Sequence, residues 1–292
     1  MNRFEKWILA ARPKTLWASI APVVVGTALA YGDGAHHWPS ALIALVCSVL
    51  IQIGTNFAND YFDYEKGADT EERTGPLRVT QAGMVPPSTM KRATAVVFLL
   101  AFVGGTYLTW RGGWPIALVG LLCILSGLLY TGGPYPLGYL GLGDLFVLIF
   151  FGPVAVGGTY FVQALQINTT VLIAGMGPGM LITAILTVNN LRDIEVDRKA
   201  GKLTLAVRFG KAFTRWEFAL LVFLGLSIPP FLYLHTGQHL SSLLSLLVVL
   251  PAVSTFRGVF GQAEGPSLNP VLANTARISL LYSVLFSVGW LL

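Results

Sequence analysis

The sequence predicts an all-α, polytopic membrane protein of about nine transmembrane helices bundled around a central cavity, forming a single membrane-embedded domain over residues 1–292. Three observations carry that reading. Of the 292 residues, 54% are hydrophobic and only 11% charged, with a mean hydropathy of +0.67. A soluble domain carries about 25% charged residues, so too few polar groups are present to cover a water-facing surface. Nine apolar stretches have roughly the length that crosses a bilayer. Finally, basic residues collect in alternate loops, as they do where a chain threads a membrane.

The first stretch, 16–31, is short and holds Pro22. Its basic flank and Ala28-Leu29-Ala30 also fit a secretory signal; the chain is read here as keeping it, because the second stretch otherwise loses its hairpin partner. The next are 41–58, 93–110, 114–130 and 145–162, followed by 171–188, 216–234, 240–256 and 271–292. The last holds Arg277, whose long side chain can snorkel to the surface. Arg3, Lys6, Arg12 and Lys14 precede the first span; Lys66, Arg73, Arg78, Lys91 and Arg92 follow the second. Arg192, Arg198, Lys199, Lys202, Arg208, Lys211 and Arg215 follow the sixth, and Arg257 the eighth. This puts 17 of the 19 basic residues on one face, leaving Arg111 opposite. The basic face is read as cytoplasmic in an inner (cytoplasmic) membrane, with the N-terminus on that side. The net charge of +5 is thus a topology signal, and no nucleic-acid partner is expected.

Cys47 and Cys123 both fall inside apolar runs, which argues against a disulfide or thiolate metal site. His36, His37, His235 and His239 all fall on the outer side, so chemistry at the basic face runs without histidine.

That face concentrates acid as well. NDYFDYEKGADTEERTGPLR begins at Asn59, and NNLRDIEVDRKAGKLTLAVRFG begins at Asn189; together they hold nine of the 14 acidic residues. The two segments lie 130 residues apart, an internal echo that suggests two related halves around a shared cavity. If the flanking helices run on, Asn59 and Asp63 stack at i, i+4, and Asp193 and Asp197 do the same. Clustered carboxylates near lipid are costly and need positive charge. Oxygen donors without His or Cys favour Mg²⁺, which bridges one or two carboxylates to substrate phosphates. Lys66, Arg73, Arg78, Arg192 and Lys202 are interleaved with them and suit phosphate oxygens. The pattern is a diphosphate site whose substrate ends in a lipid. The alternative is a pair of solvated loops.

On these residues the chain resembles the UbiA-type intramembrane prenyltransferases, whose N-D-x-x-D and D-x-x-x-D motifs are matched by NDYFD and DIEVD. YTGGPYPLGYLGLGD (130–144), KGADTEERTGPLR and the second acidic segment are similar to the branch that prenylates 1,4-dihydroxy-2-naphthoate in menaquinone synthesis. The family's fourth Asp would fall at Gly67; Asp69 lies two residues on. The resemblance implies Mg²⁺ held by Asn59, Asp60, Asp63, Asp69, Asp193 and Asp197, with Asp63, Asp193, Asp197 and Lys202 catalytic. It implies a polyprenyl diphosphate donor and an aromatic acid acceptor, ionisation of the allylic C–O bond, ring attack and loss of CO₂. Tyr130 or Tyr135 would shield the allylic cation, or else belong to an interfacial belt. Arg12 and Lys14 would meet the acceptor carboxylate, or else anchor the chain. The TGGPYPLG segment reads as a lid or as a tight connector. Within the same fold, 4-hydroxybenzoate and homogentisate are rival acceptors. A secondary transporter is a different class, but its ionisable groups belong near mid-membrane.

Overall fold

The computed structural model describes residues 2–67, 75, 77–261 and 263–292. The chain opens with α1 (Arg3–Ala11), an amphipathic helix that the sequence reading did not foresee. Asn2 and Glu5 close a reciprocal capping box at its start, with bonds of 2.8 and 2.9 Å. Trp7, Ala10 and Ala11 pack on Phe57, Val79, Val85 and Met90, while Phe4 stays exposed. Arg12 then turns left-handed (φ 52°) and starts α2 (Pro13–Gly32).

Among the described residues, eight helices are long and apolar enough to cross a membrane: α2, α3 (Trp38–Glu65), α4 (Pro87–Gly112), α6 (Gly143–Ala164), α7 (Thr169–Lys199), α8 (Leu205–Thr236), α9 (Leu240–Phe260) and α10 (Gly265–Leu291). The ninth apolar helix, α5 (Trp114–Leu129), has only 16 residues. At 1.5 Å per residue it spans about 24 Å, less than the roughly 30 Å hydrocarbon core. Residues 130–142 follow it as a loop that folds over the acidic helix ends. The chain is a multi-pass, all-helical membrane protein, as its sequence predicts.

Two departures from regular helix shape the interior. In α6 a π turn at Phe150–Val154 follows from Pro153, which breaks the hydrogen-bond ladder. There the backbone of Gly152 lies so close to Gly175 and Gly179 of α7 that a Cβ on Gly179 would stand 2.7 Å from the Gly152 Cα. In α8, Gly210 (φ 82°) sets the first turn, from Leu205, apart from the rest of the helix.

Buried clusters hold the helices together. Leu181, Val188, Phe218, Val222, Ile278 and Tyr282 pack α7, α8 and α10 together. Val25, Leu29, Val156, Tyr160, Leu232 and Phe286 bring α2 into the core with α6, α8 and α10. A separate cavity of about 470 Å³ is lined by α2–α6 and includes Val23, Cys47, Ile51, Thr55, Phe146 and Phe150. This cavity lies among the first five of these helices, α2–α6. Both cysteines are free thiols.

Candidate active site

Both acidic motifs lie on helices rather than in loops, because α3 and α7 run on past their apolar windows to Glu65 and Lys199. Helical periodicity then aligns Ile51, Thr55, Asn59 and Asp63 at four-residue steps along one face of α3. The first two line the apolar cavity. The last two carry the polar chemistry.

Asp63 is 1% exposed and is held from three directions. Arg78 Nη2 stands 2.8 Å from Oδ2, Lys202 Nζ stands 3.3 Å from Oδ1, and the Tyr139 hydroxyl donates to Oδ1 at 3.0 Å. The Tyr139 ring lies between two ammonium groups, with Lys66 at 4.7 Å and Lys202 at 4.9 Å from its centroid. Desolvation lowers the pKa of Lys66, with the Asp63 charge opposing and Lys202 adding to the shift. One carboxylate thus faces a surplus of cations, which suits a polyanion.

Asp60, read from sequence as a metal residue, points elsewhere. Its oxygens accept the backbone N–H groups of Val79 (3.2 Å) and Thr80 (3.0 Å), fixing the turn that delivers Arg78. Asn59 accepts from the Thr131 hydroxyl at 2.8 Å.

On α7, Asn189, Asp193 and Asp197 repeat the four-residue spacing. Asp193 is gripped by its neighbour: Arg192 Nε to Oδ1 at 2.8 Å and Nη2 to Oδ2 at 2.6 Å. Asp197 is buried, and its carbonyl accepts the Lys202 N–H at 2.8 Å, closing the turn that brings Lys202 back to Asp63.

The loop at 130–142 is a strap across both motifs. Lys66 Nζ donates to the Thr131 carbonyl at 2.6 Å, Leu203 N to the Tyr139 carbonyl at 2.9 Å, and Arg208 Nη2 to the Leu140 carbonyl at 3.0 Å. Gly141 has φ 74°, and a Cβ there would lie 2.8 Å from the Leu203 carbonyl, so glycine is required.

Tyr130 lines the cavity near its polar end, close enough to Asp144, Asp197 and Asp63 to sense their charges. Tyr135 is 76% exposed and is not brought to the site. Arg12 sits half-buried at the α1–α2 elbow, where Asn56 Nδ2 binds the Ala11 carbonyl (2.9 Å) and Thr15 Oγ1 (3.0 Å). Lys14 is exposed. Asp69 and Arg73 lie outside the described residues. Tyr139, Thr131, Asn189 and Asn269 were missed as site residues by sequence reasoning. A signal for Asn189 existed in the 130-residue echo that pairs it with Asn59.

Among the described residues, no three His, Cys, Asp or Glu side chains gather closely enough to cage a metal ion. The donors are all hard oxygens on two facing helix ends, which fits a divalent cation sharing one or two carboxylates with water and phosphate rather than a closed protein site.

Membrane-spanning helices, an oxygen-rich ionic site at one end and an apolar cavity leading away from it define an intramembrane enzyme working where lipid meets water. The chain belongs to the UbiA prenyltransferase family, which it matches over residues 19–269. It is 37% identical over 304 aligned residues to 1,4-dihydroxy-2-naphthoate octaprenyltransferase of Haemophilus influenzae, covering 100% of this chain and 97% of that one. It is 39% identical over 285 residues to the protein of the same name in Mycobacterium tuberculosis, covering 97% and 96%. Its fold is similar to that of a UbiA homolog from Archaeoglobus fulgidus bound to GPP and Mg²⁺, with TM-score 0.70, 14% identity and coverage of 98% and 99%.

Proposed function

We propose that the protein transfers a polyprenyl group from its diphosphate to 1,4-dihydroxy-2-naphthoate, releasing diphosphate and CO₂ and giving demethylmenaquinol, the reduced form of the demethylmenaquinone ring system. The observation that carries the reading is the single face of α3 on which cavity-lining Ile51 and Thr55 lead directly to Asn59 and Asp63. That face fits a molecule with an apolar tail and an anionic head. The naphthoate acceptor rests on the named relatives and on the matching loop segments.

In this reading Asn59, Asp63, Asn189, Asp193 and Asp197 hold Mg²⁺, which supplies the Lewis acidity that lets the diphosphate leave. Lys66, Arg78 and Lys202 orient the phosphate oxygens and oppose their charge. Walls from α2–α6 keep water away as the allylic C–O bond breaks. Tyr130, which lines the cavity, offers a π face beside the developing cation. The ring carbon forms the new bond to the prenyl chain, and the carboxylate leaves that ring as CO₂. Arg12, at the elbow held by Asn56, is assigned to the acceptor carboxylate. The acid-bearing end faces the cytoplasm, because nearly all basic residues cluster there.

The test supplies purified protein with Mg²⁺, a polyprenyl diphosphate and carboxyl-labelled 1,4-dihydroxy-2-naphthoate. Labelled CO₂ should appear in step with prenylated product, and excess EDTA should stop both. Preference for 4-hydroxybenzoate with its carboxylate retained sinks the acceptor. Labelling of single cysteines at 77–92 from the outer side sinks the orientation.

A further inference from the structure

The geometry points to Arg192 and Asn269 as a positioning clamp for the second acidic motif, with Arg192 acting on Asp193 rather than on phosphate. This deepens the diphosphate-site reading and rests on it.

Arg192 is 5% exposed, and its guanidinium is already committed. Nε and Nη2 form the fork on Asp193; Nη2 also donates to Asn189 Oδ1 at 2.8 Å, and Nη1 donates to Asn269 Oδ1 at 2.8 Å. Those four bonds use four of the five N–H donors an arginine owns. A buried guanidinium so engaged has little left for a phosphate. What it does instead is geometric. It locks the Asp193 carboxylate bidentately, fixes the amide of Asn189 one turn earlier on the same face, and ties that end of α7 to α10 through Asn269. Both oxygen-bearing side chains are thereby presented in one orientation. Lysine cannot reproduce this, because an ammonium is a point donor without the planar fork.

Outer partners of this kind typically change metal affinity about tenfold to a hundredfold when removed. The clamp therefore predicts an effect on metal binding that is separable from substrate binding. Asn269 is the informative position, since it carries no charge and is not assigned to metal or phosphate.

The experiment titrates Mn²⁺ by electron paramagnetic resonance into the purified full chain in detergent, without substrate. Asn269→Ala and Arg192→Lys should each weaken Mn²⁺ binding about tenfold or more. Asn269→Asp keeps an oxygen for Nη1 and should stay within about threefold of the parent. KM for polyprenyl diphosphate at saturating Mg²⁺ should be unchanged in Asn269→Ala. If Arg192→Lys fails to insert, Asn269→Ala and its rescue by Asn269→Asp decide alone. The clamp is overturned by Asn269→Ala binding Mn²⁺ like the parent, or by Arg192→Lys raising only KM for the diphosphate. Asp193→Asn distinguishes the levels. If it leaves Mn²⁺ binding intact, the metal-site reading itself falls; if it abolishes binding while Asn269→Ala is silent, only the clamp does.

Discussion

The two acid-bearing helix ends share one spacing but are held by opposite means. Asp63 on α3 is fixed by residues distant in sequence: Arg78 from the following loop, Tyr139 from the strap and Lys202 from the segment after α7. Asp193 on α7 is fixed by the adjacent Arg192, with Asn269 as the brace. The first end is complete only when the strap and the far half are docked; at the second, the first grip on the carboxylate comes from its own neighbour in sequence. A cation-rich pocket assembled from distant pieces suits adjustment around a substrate. A locally clamped carboxylate suits a fixed metal post.

The strongest way to break this comparison is to remove each charge in turn. Asp63→Asn and Asp193→Asn keep size and lose the negative charge, so each should cut turnover at least about a thousandfold if each site supplies several kcal/mol to the ionising step. The stability consequences should differ. At Asp63 the change leaves Arg78, Lys202 and Lys66 facing one another, so that variant should also lose thermal stability. Near-normal turnover in either variant ends the diphosphate-site reading.

The second effect in size is Arg78→Met. It removes one of the two cations paired with a carboxylate that is 1% exposed, and breaking a buried pair from one side costs on the order of 3–5 kcal/mol. Lys202 and Tyr139 remain, so the lower end is expected. Thermal unfolding in detergent should show the loss. A neutral result would mean that Lys202 alone balances Asp63.

Much of this arrangement was legible in the sequence, for a physical reason. Helical period is local, so the placement of Asn59 with Asp63, and of Asp193 with Asp197, followed from counting residues once the helices ran on. The choice of partners is not local. Tyr135 and Tyr139 stand in one Gly- and Pro-rich segment with the same composition around them; left-handed turns at Gly133 and Gly141 set the course that leaves Tyr135 exposed and brings Tyr139 to Asp63. Arg192 looked like a phosphate ligand because its neighbour is acidic, yet its burial against Asn269 depends on how α10 meets α7. Helix α1 was missed because only nine residues carry its pattern, too few to stand out from a basic leader.

Asp60 offers a finer cut. It lies next to Asn59 but turns off that face to accept from Val79 and Thr80. Asp60→Ala leaves two buried N–H groups without their acceptor, at about 1–3 kcal/mol each, and loosens the turn that presents Arg78. Asp60→Asn keeps one amide oxygen and should recover part of the activity. Were Asp60 a metal ligand, Asp60→Asn would be as inactive as Asp63→Asn; steady-state turnover of the three variants decides.

The smallest effect belongs to Tyr139, and it tests whether the first site is truly assembled from across the chain. Tyr139→Phe deletes one hydrogen bond to an ionised carboxylate, a contact of about 1.5–3 kcal/mol, while leaving the ring between Lys66 and Lys202 in place. Because Arg78 and Lys202 still hold Asp63, the expected loss of turnover is near the low end, roughly tenfold. Tyr139→Leu also removes the π face and the cation–π contacts, each on the order of 0.5–1 kcal/mol, so it should fall a further few-fold. A double-mutant cycle joins the two regions: combined with Asp63→Asn, Tyr139→Phe should add much less than it costs alone, since the hydroxyl acts through that carboxylate. Combined with Asp193→Asn, whose carboxylate is held by Arg192, it should add its full penalty. Equal additivity in both pairings would show that Tyr139 acts on something other than Asp63, and that the strap is a connector rather than part of the site.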